Sequence, residues 1–314
     1  MILLSGRART LAVIALLICG IGTAFVLTSN TPRKGGPAVA KTGDRPIPAS
    51  PPLAAITRPV EAPLAEGRFN SLETGLDFGT FVAPVQAGIG DGKVRILRID
   101  PRNFKFVLLS SSEVAHTKPQ TARQWCQTRD CVAAINASMY QSNGLSVAYM
   151  RDGANVRSSK VTSDKAALVF NPTDVHRPLV QVADLGKQRL ADLKSGYGTL
   201  VQSIRMVSSD GRNVWAQSPK RYSTAAIGQD GQGRIMFIHA RTPYSTHDLA
   251  GILLKLPIDL KRAMYVEGGP EAQLYVKAGQ REFECIGSYE TNFLENDANH
   301  SAWAVPNVIG IARR

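Results

Sequence analysis

The sequence predicts an α+β fold: a single domain of mixed, strand-rich sheets with a few flanking helices, preceded by an N-terminal membrane segment. Three observations predict it. Short apolar runs recur along the body of the chain, separated by turns rich in Gly, Pro, Asn and Asp. Only two segments of the body, Thr121–Thr128 and Thr246–Leu254, space their apolar residues as an amphipathic helix does. Strands and helices follow one another in no regular alternation, which excludes a doubly wound parallel sheet.

The elements follow in order. Thr10–Leu27 reads TLAVIALLICGIGTAFVL, eighteen residues without a charge, after a start that carries Arg7 and Arg9. A spanning helix needs roughly 17–25 such residues, and a cleaved signal core is usually shorter, roughly 7–15. Residues 1–30 are therefore expected to be a cytoplasmic stub with a signal anchor, or a signal peptide cut near Gly22-Thr23-Ala24. Either way the rest of the chain is exported, to face the periplasm or the cell exterior, or to be secreted. Residues 31–68 form a linker, and residues 31–63 hold eight of the eighteen prolines; such a stretch favours extended polyproline geometry over a core.

The domain proper is expected over residues 69–314. Lys93–Asp100 alternates like a half-buried strand, and Phe104–Leu109 follows a Pro-Arg-Asn turn, which together predict a hairpin. Cys131–Asn136, Ala166–Phe170 and Thr199–Ile204 read as strands. Ser-Ser-Asp-Gly within Val207–Val214 predicts a turn between two strands. Ser223–Gly228, an Asp-Gly turn and Arg234–Ala240 make strand, turn and strand. In the helix Thr246–Leu254, Thr246 is placed to cap, Asp248 sits in the first turn, and Leu249, Ile252 and Leu253 share one face. Ala263–Val266, Gln273–Val276 and Asn307–Ala312 complete the strands.

Composition limits the function. The chain has 314 residues, 37 Lys or Arg against 25 Asp or Glu, and a net charge of +12. The basic residues are spread thinly, without the dense runs and interleaved aromatics of a nucleic-acid binder, so no nucleic acid is expected. The charge suits a soluble surface or an anionic partner. Four cysteines are too few for a disulfide scaffold. Cys126 and Cys131, five apart, can close a small disulfide loop in an oxidising compartment or remain as thiols. No CxxC and no paired His spacing exists, so neither metal nor cofactor is expected. No phosphate-binding P-loop, dinucleotide fingerprint, GxSxG elbow or HExxH is present, and Gly88–Gly92 is read as a loop before a strand.

Four stretches place polar groups at the rim of apolar strands. They are Ala133–Tyr140 with Asn136, Thr199–Ser203 with Gln202 and Ser203, Arg221–Gly228, and Met264–Gly269. An Arg before a buried strand can grip a phosphate with its fork. A carboxylate at a strand end, Glu267, followed by Gly268 and Gly269, lets backbone approach a ligand closely.

In this order the four stretches resemble the phosphodiester glycosidase family, which includes the lysosomal uncovering enzyme and exported bacterial proteins. The resemblance runs from about Val94 to Ile311. It is densest in RYSTAAIGQDGQGRIMFIHA, STHDLAGILLKL and RAMYVEGGPEAQLYV, and Val305–Ile309 fits a final strand. It implies that Asn136 stands at the family's Asn-Ala-Gly, Gln202 and Ser203 at its Gln-Ser, Arg221 at its Arg, and Glu267, Gly268 and Gly269 at its Asp-Gly-Gly, with Asn307 a weaker match. The chain departs from the family in having Glu267 for Asp, Pro270-Glu271-Ala272 after the Gly pair, and Ser138 for Gly.

The implied activity is hydrolysis of the glycosidic bond of sugar-1-phosphodiesters in envelope or extracellular glycans. Arg221 would clamp the phosphate. Glu267 would stabilise or attack the oxocarbenium-like centre or activate water, while Asn136, Gln202, Ser203, Gly268, Gly269, His247 and Asn307 would hold the sugar. His239 and His247 are further acid or base candidates. The implied partners are an anionic or phosphodiester-linked glycan and, through the N-terminal helix, a membrane. Two alternatives remain open: a non-catalytic glycan-binding or polysaccharide-assembly protein on the same fold, and a structural envelope protein whose tether matters more than any pocket.

Overall fold

The structure, a computed structural model, describes residues 63–85, 87–111 and 118–314. The expected membrane segment and nearly all of the linker lie outside the described residues. Among the described residues no helix is long and apolar enough to cross a membrane.

The described residues open with a pair missed by sequence patterning, β1 (Phe69–Glu73) and β2 (Leu76–Val82), and continue through β3 (Lys93–Ile99) and β4 (Phe104–Ser110). Helix α1 (Ala122–Arg129) precedes β5 (Ala133–Asn136), β6 (Met150–Asp152), β7 (Asn155–Ser158), β8 (Ala166–Pro172) and β9 (Val180–Asp184). After α2 (Leu190–Gly196) come β10 (Tyr197–Val207), β11 (Tyr222–Asp230) and β12 (Ile235–Tyr244). Helix α3 (Thr246–Lys255), β13 (Leu260–Gly268), a 3-10 turn at Gly269–Glu271, β14 (Gln273–Ala278), β15 (Arg281–Ile286) and β16 (Asn307–Arg313) finish it.

Two sheets form. The larger runs β1-β2-β3-β12-β11-β13-β10-β6-β7, with β8 and β9 added at β10; the smaller runs β15-β14-β5-β16-β4. Their inner faces meet in the main core, where Leu97, Ile227, Phe237 and Val266 of one sheet pack with Phe106, Ile135, Leu274 and Ile309 of the other. The opposite face of the large sheet is covered by Leu249, Ile252 and Leu253 of α3, and that of the small sheet by Trp125 and Cys126 of α1. Burying both faces of both sheets is what an apolar run such as AAIN, buried at every position, requires.

Four expectations need correction. The sheets are not mixed: every strand pair among the described residues is antiparallel. A parallel pair needs a long crossover connection, usually helical, and the helices here instead cap the outer faces.

The predicted hairpin of β3 and β4 does not exist. β3 pairs with β2 and β12, whereas β4 pairs with β16. Pro101-Arg102-Asn103 turns a corner from one sheet to the other, and the flanking Ile99 and Phe104 both enter the core between them.

The cap of α3 is Ser245, whose Oγ accepts the Asp248 N–H at 3.0 Å, not Thr246. Ser245 has the extended backbone of a cap residue and stands three before Asp248. The turn after Val207 forms, with Ser208 N–H on the Arg212 carbonyl, but only a single bridge from Val207 to Asn213 follows it, not a second strand. Cys126, Cys131 and Cys285 are free thiols, and the Cys126 thiol is held protonated by its hydrogen bond to Cys131 and by burial.

Candidate active site

The C-terminal end of β13 opens into a cleft of about 430 Å³. Met139, Val147 and Ile204 supply apolar surface, Tyr140, Trp215, Tyr222 and Tyr265 aromatic surface, and Glu267, Glu271 and Glu290 the charge. Thr246, freed from capping α3, faces it too.

Glu267 ends the buried stretch of β13 and is only 9% exposed. Its Oε1 accepts the Gly268 N–H at 3.1 Å. Burial pushes its carboxyl well above the ordinary range, and the nearby charges of Glu271 and Glu290 add to the rise. Glu271, on the 3-10 turn, is pushed up to about 7 by burial and by Glu290. Glu290 is raised by burial, with Lys220 opposing. The cleft therefore gathers three carboxyl groups that hold protons more tightly than free glutamate.

The two glycines after Glu267 are required by space and by backbone. A β-carbon on Gly268 would collide with the Tyr265 hydroxyl. Gly269 has φ of +67°, and a β-carbon there would stand 2.5 Å from Glu290 Oε2 and 3.4 Å from Glu271 Oε2. The Tyr265 hydroxyl thus lies against Gly268, and the Glu290 carboxylate lies against Gly269 with that of Glu271 in contact beyond it.

Of the residues expected at the site, Glu267 and Gly268 line the cleft, and Gly269 shapes it from beneath the two carboxylates. Several of the others hold its walls. Asn136, 1% exposed, accepts the Gln273 N–H at 2.7 Å and donates to the Glu271 carbonyl at 2.9 Å, so it grips the turn that carries Glu271 from both sides. Ser203 donates to the Tyr265 carbonyl. Asn307 donates to the Gly144 carbonyl at 3.2 Å and accepts from Ser110 at 2.6 Å. Ser138, the residue that departs from the family pattern, bonds Ser146 at 2.9 Å. Asn307 and Ser138 thus close the loop that presents Met139, Tyr140 and Val147. His247 binds the Trp215 carbonyl through Nδ1 at 2.6 Å, fixing the segment whose indole packs on Tyr265 with ring centroids 5.5 Å apart.

Gln202 stands apart: it holds the Thr162 N–H and the Thr162 and Asp164 carbonyls, away from the cleft lining. Arg221 is exposed at the start of β11, and its backbone, not its guanidinium, bonds Thr291. His239 lies buried behind the 3-10 turn and donates from Nε2 to the Ala272 carbonyl at 3.2 Å. Burial, aided by Arg95, lowers its pKa to about 3, so the ring is neutral.

Sequence reasoning missed Glu290, Trp215, Tyr222 and Tyr265 as site residues and saw Glu271 only as a departure from the family pattern. Glu290 sits on the irregular segment after β15, which Arg241 ties down through the carbonyls of Ile286, Asp297 and Asn299 and the Asp297 carboxylate. No periodicity marks such a segment. The signal available was the second acid four residues after Glu267.

The comparisons agree with this architecture. The structure resembles the catalytic domain of zebrafish N-acetylglucosamine-1-phosphodiester alpha-N-acetylglucosaminidase, auto-inhibited by its pro-peptide, with a TM-score of 0.57 and 14% identity over 80% of this chain and 87% of that one. It resembles a hypothetical protein from Synechocystis with the same TM-score and identity, over 81% of this chain and 64% of that one. At these identities the likeness shows the fold alone. No curated protein matches the sequence. The sequence model of the phosphodiester glycosidases matches residues 129–312, which span β5 with Asn136, β13 with Glu267, the Gly pair, the acidic turn and the closing strand β16. The chain that builds its cleft from these elements belongs to the phosphodiester glycosidase family.

Proposed function

We propose that the protein is an exported hydrolase that cleaves the glycosidic bond of sugar-1-phosphodiesters in envelope or extracellular glycans. The reading is carried by Glu267, a buried carboxyl at the end of a central strand, with Glu271 four residues on in the same cleft. Hydrolysis adds water across the bond between the anomeric carbon and the phosphate oxygen. The bond electrons leave with the phosphate, which is a good leaving group. The water oxygen bonds to the anomeric carbon, and its proton passes to a carboxylate. Glu267 supplies a carboxyl oxygen at the anomeric carbon, and Glu271, titrating at about 7, is suited to move the proton. The aromatic walls offer faces on which a sugar ring can rest.

The N-terminal apolar run would carry the domain across a membrane and hold it there, with the Pro-rich stretch as spacer. Its partners would then be the membrane and the anionic glycan, not nucleic acid. One observation favours the second reading, a glycan binder without turnover: no Lys or Arg lines the cleft, and Arg221 stands outside it.

The test is release of free sugar from a panel of sugar-1-phosphodiesters by the full-length chain in detergent, with Glu267→Gln alongside. Turnover that disappears in the variant supports the hydrolase. Saturable glycan binding that survives in Glu267→Gln, without turnover in either protein, selects the binder.

A further inference from the structure

Resting on that reading of the cleft, we infer that the sugar it takes carries a free ammonium group: a hexosamine or other amino sugar, not its N-acetylated or neutral counterpart. The cleft is lined by three carboxylates and four aromatic rings, and by no Lys, Arg or His. Acidic and aromatic side chains together are the lining a compact cation seeks.

No positive charge stands in the lining itself. Arg241, which anchors the Glu290 segment, is already committed to Asp297 and three carbonyls. Lys220 and Arg221 are exposed and outside the lining. The three acids hold their protons tightly chiefly because they are buried, their mutual repulsion adds to this at Glu267 and Glu271, and only Lys220, from outside the lining, opposes it at Glu290.

A second, independent observation points to a ligand that both donates and accepts hydrogen bonds. Tyr265 is 7% exposed, lines the cleft and has its hydroxyl against Gly268, yet among the described residues that hydroxyl makes no hydrogen bond. The side chain is held in place while its hydroxyl is left free to bond a ligand in the cleft.

The shape of the cluster selects an ammonium over a metal ion. Among the described residues no three acidic, His or Cys side chains are placed to share a metal. An ammonium needs only hydrogen-bond distances and offers three donors in different directions. A cleft of about 430 Å³ has room for one or two sugar rings. Glu271 and Glu290 both approach the β-position of Gly269, two residues from Glu267, and this pair is assigned to the amine.

The test has a binding arm and a turnover arm, both with the full-length chain in detergent at neutral pH. Titration calorimetry compares glucosamine, N-acetylglucosamine and glucose, with ammonium chloride at matched ionic strength as the ionic control. Glucosamine is expected to bind at least about tenfold tighter than either sugar, an advantage of the size a desolvated cation–π contact gives. Glu290→Gln is expected to remove most of that preference, and circular dichroism of the variant checks its fold. In the turnover arm, glucosamine-1-phosphodiester should outrun the N-acetylated substrate.

Equal binding of the three sugars, or equal response to ammonium chloride, overturns the inference. Hydrolysis of the N-acetylated diester in preference to the amine also overturns it and leaves the hydrolase intact. Amine-selective binding with no hydrolysis of any diester leaves the inference standing and removes the hydrolase.

Discussion

The amide oxygen of Asn136 accepts the backbone N–H of Gln273 at 2.7 Å, joining the end of one strand in the small sheet to the start of another across 137 residues of sequence. The same side chain donates to the Glu271 carbonyl. Asn136 is thus a positioning residue for the acidic turn. Asn136→Ala leaves a buried N–H and a carbonyl unsatisfied, so it should cost about 1–3 kcal/mol in urea denaturation. Because Glu271 moves with the turn, hydrolysis should fall as well. Unchanged activity in a variant of normal stability would remove Asn136 from this role.

Gly269 is a second point where fold and site meet. Alanine there combines a left-handed backbone with a clash against Glu290, and brings the β-carbon into contact with Glu271. The expected loss is about 1–3 kcal/mol, with a drop in turnover as Glu271 and Glu290 are pushed apart. Gly279→Ala, on a left-handed turn with no atom near its β-position, is the control and should cost less.

The pH dependence has a definite sign. The Glu271 carboxyl titrates at about 7 in the folded protein, above its ordinary value of 4.5. The folded state therefore holds the proton more tightly than the unfolded state. Its stabilising effect is full below the unfolded value and is lost as pH rises through about 7. Glu271→Gln should accordingly flatten the fall in stability between acid and neutral pH, and at pH above 7 should be the more stable protein by about 1–2 kcal/mol. Denaturation midpoints of both proteins across this range decide it. A variant less stable than the parent at high pH would contradict the burial of an ionisable group here.

Gln202 gives the opposite expectation. It fastens residues 162–164 through three hydrogen bonds and does not line the cleft. Gln202→Ala should lower stability by about 1–3 kcal/mol and leave kcat/KM on a sugar-1-phosphodiester essentially unchanged. A large loss of kcat/KM in a stable variant would show that the residue reaches substrate after all.

The strand at Glu267 was legible because carboxylate, glycine pair and apolar run lie together in the chain, and local patterns are what a sequence displays. β11, β12 and α3 were legible for the same reason: a tight Asp-Gly turn and an amphipathic face are local. Partner choice is not. β3 and β4 carry good strand patterns, but nothing in either tells whether it pairs with its neighbour or, as here, with β12 and β16. β1 and β2 went unseen beside the Pro-rich stretch, and β15, with its alternate residues exposed, lacks the continuous apolar signal of its neighbour β14. The polar residues at the strand rims were found, yet the chemistry they suggested and the job they do differ. Asn136, Ser203, Asn307 and His247 all bond backbone that shapes the cleft, and a motif does not distinguish holding a ligand from holding the wall beside it.

The place of β16 has a consequence for how this molecule comes into being. It separates β4 from β5, which touch no other common strand, and its pairing with β4 joins Asn307 to Ser110, 197 residues earlier. A nascent chain that has produced the other described strands still has its small sheet in two pieces, with open edges on β4 and β5 and without the core residues Ile309 and Ile311. Assembly must therefore wait for β16 and then bridge a very long loop, which makes for slow folding. During that interval the unpaired edges are exposed to other chains. Shortening the protein by the residues of β16 would remove not a margin but the closing piece, and with it the Asn307 bond that steadies the wall of the cleft.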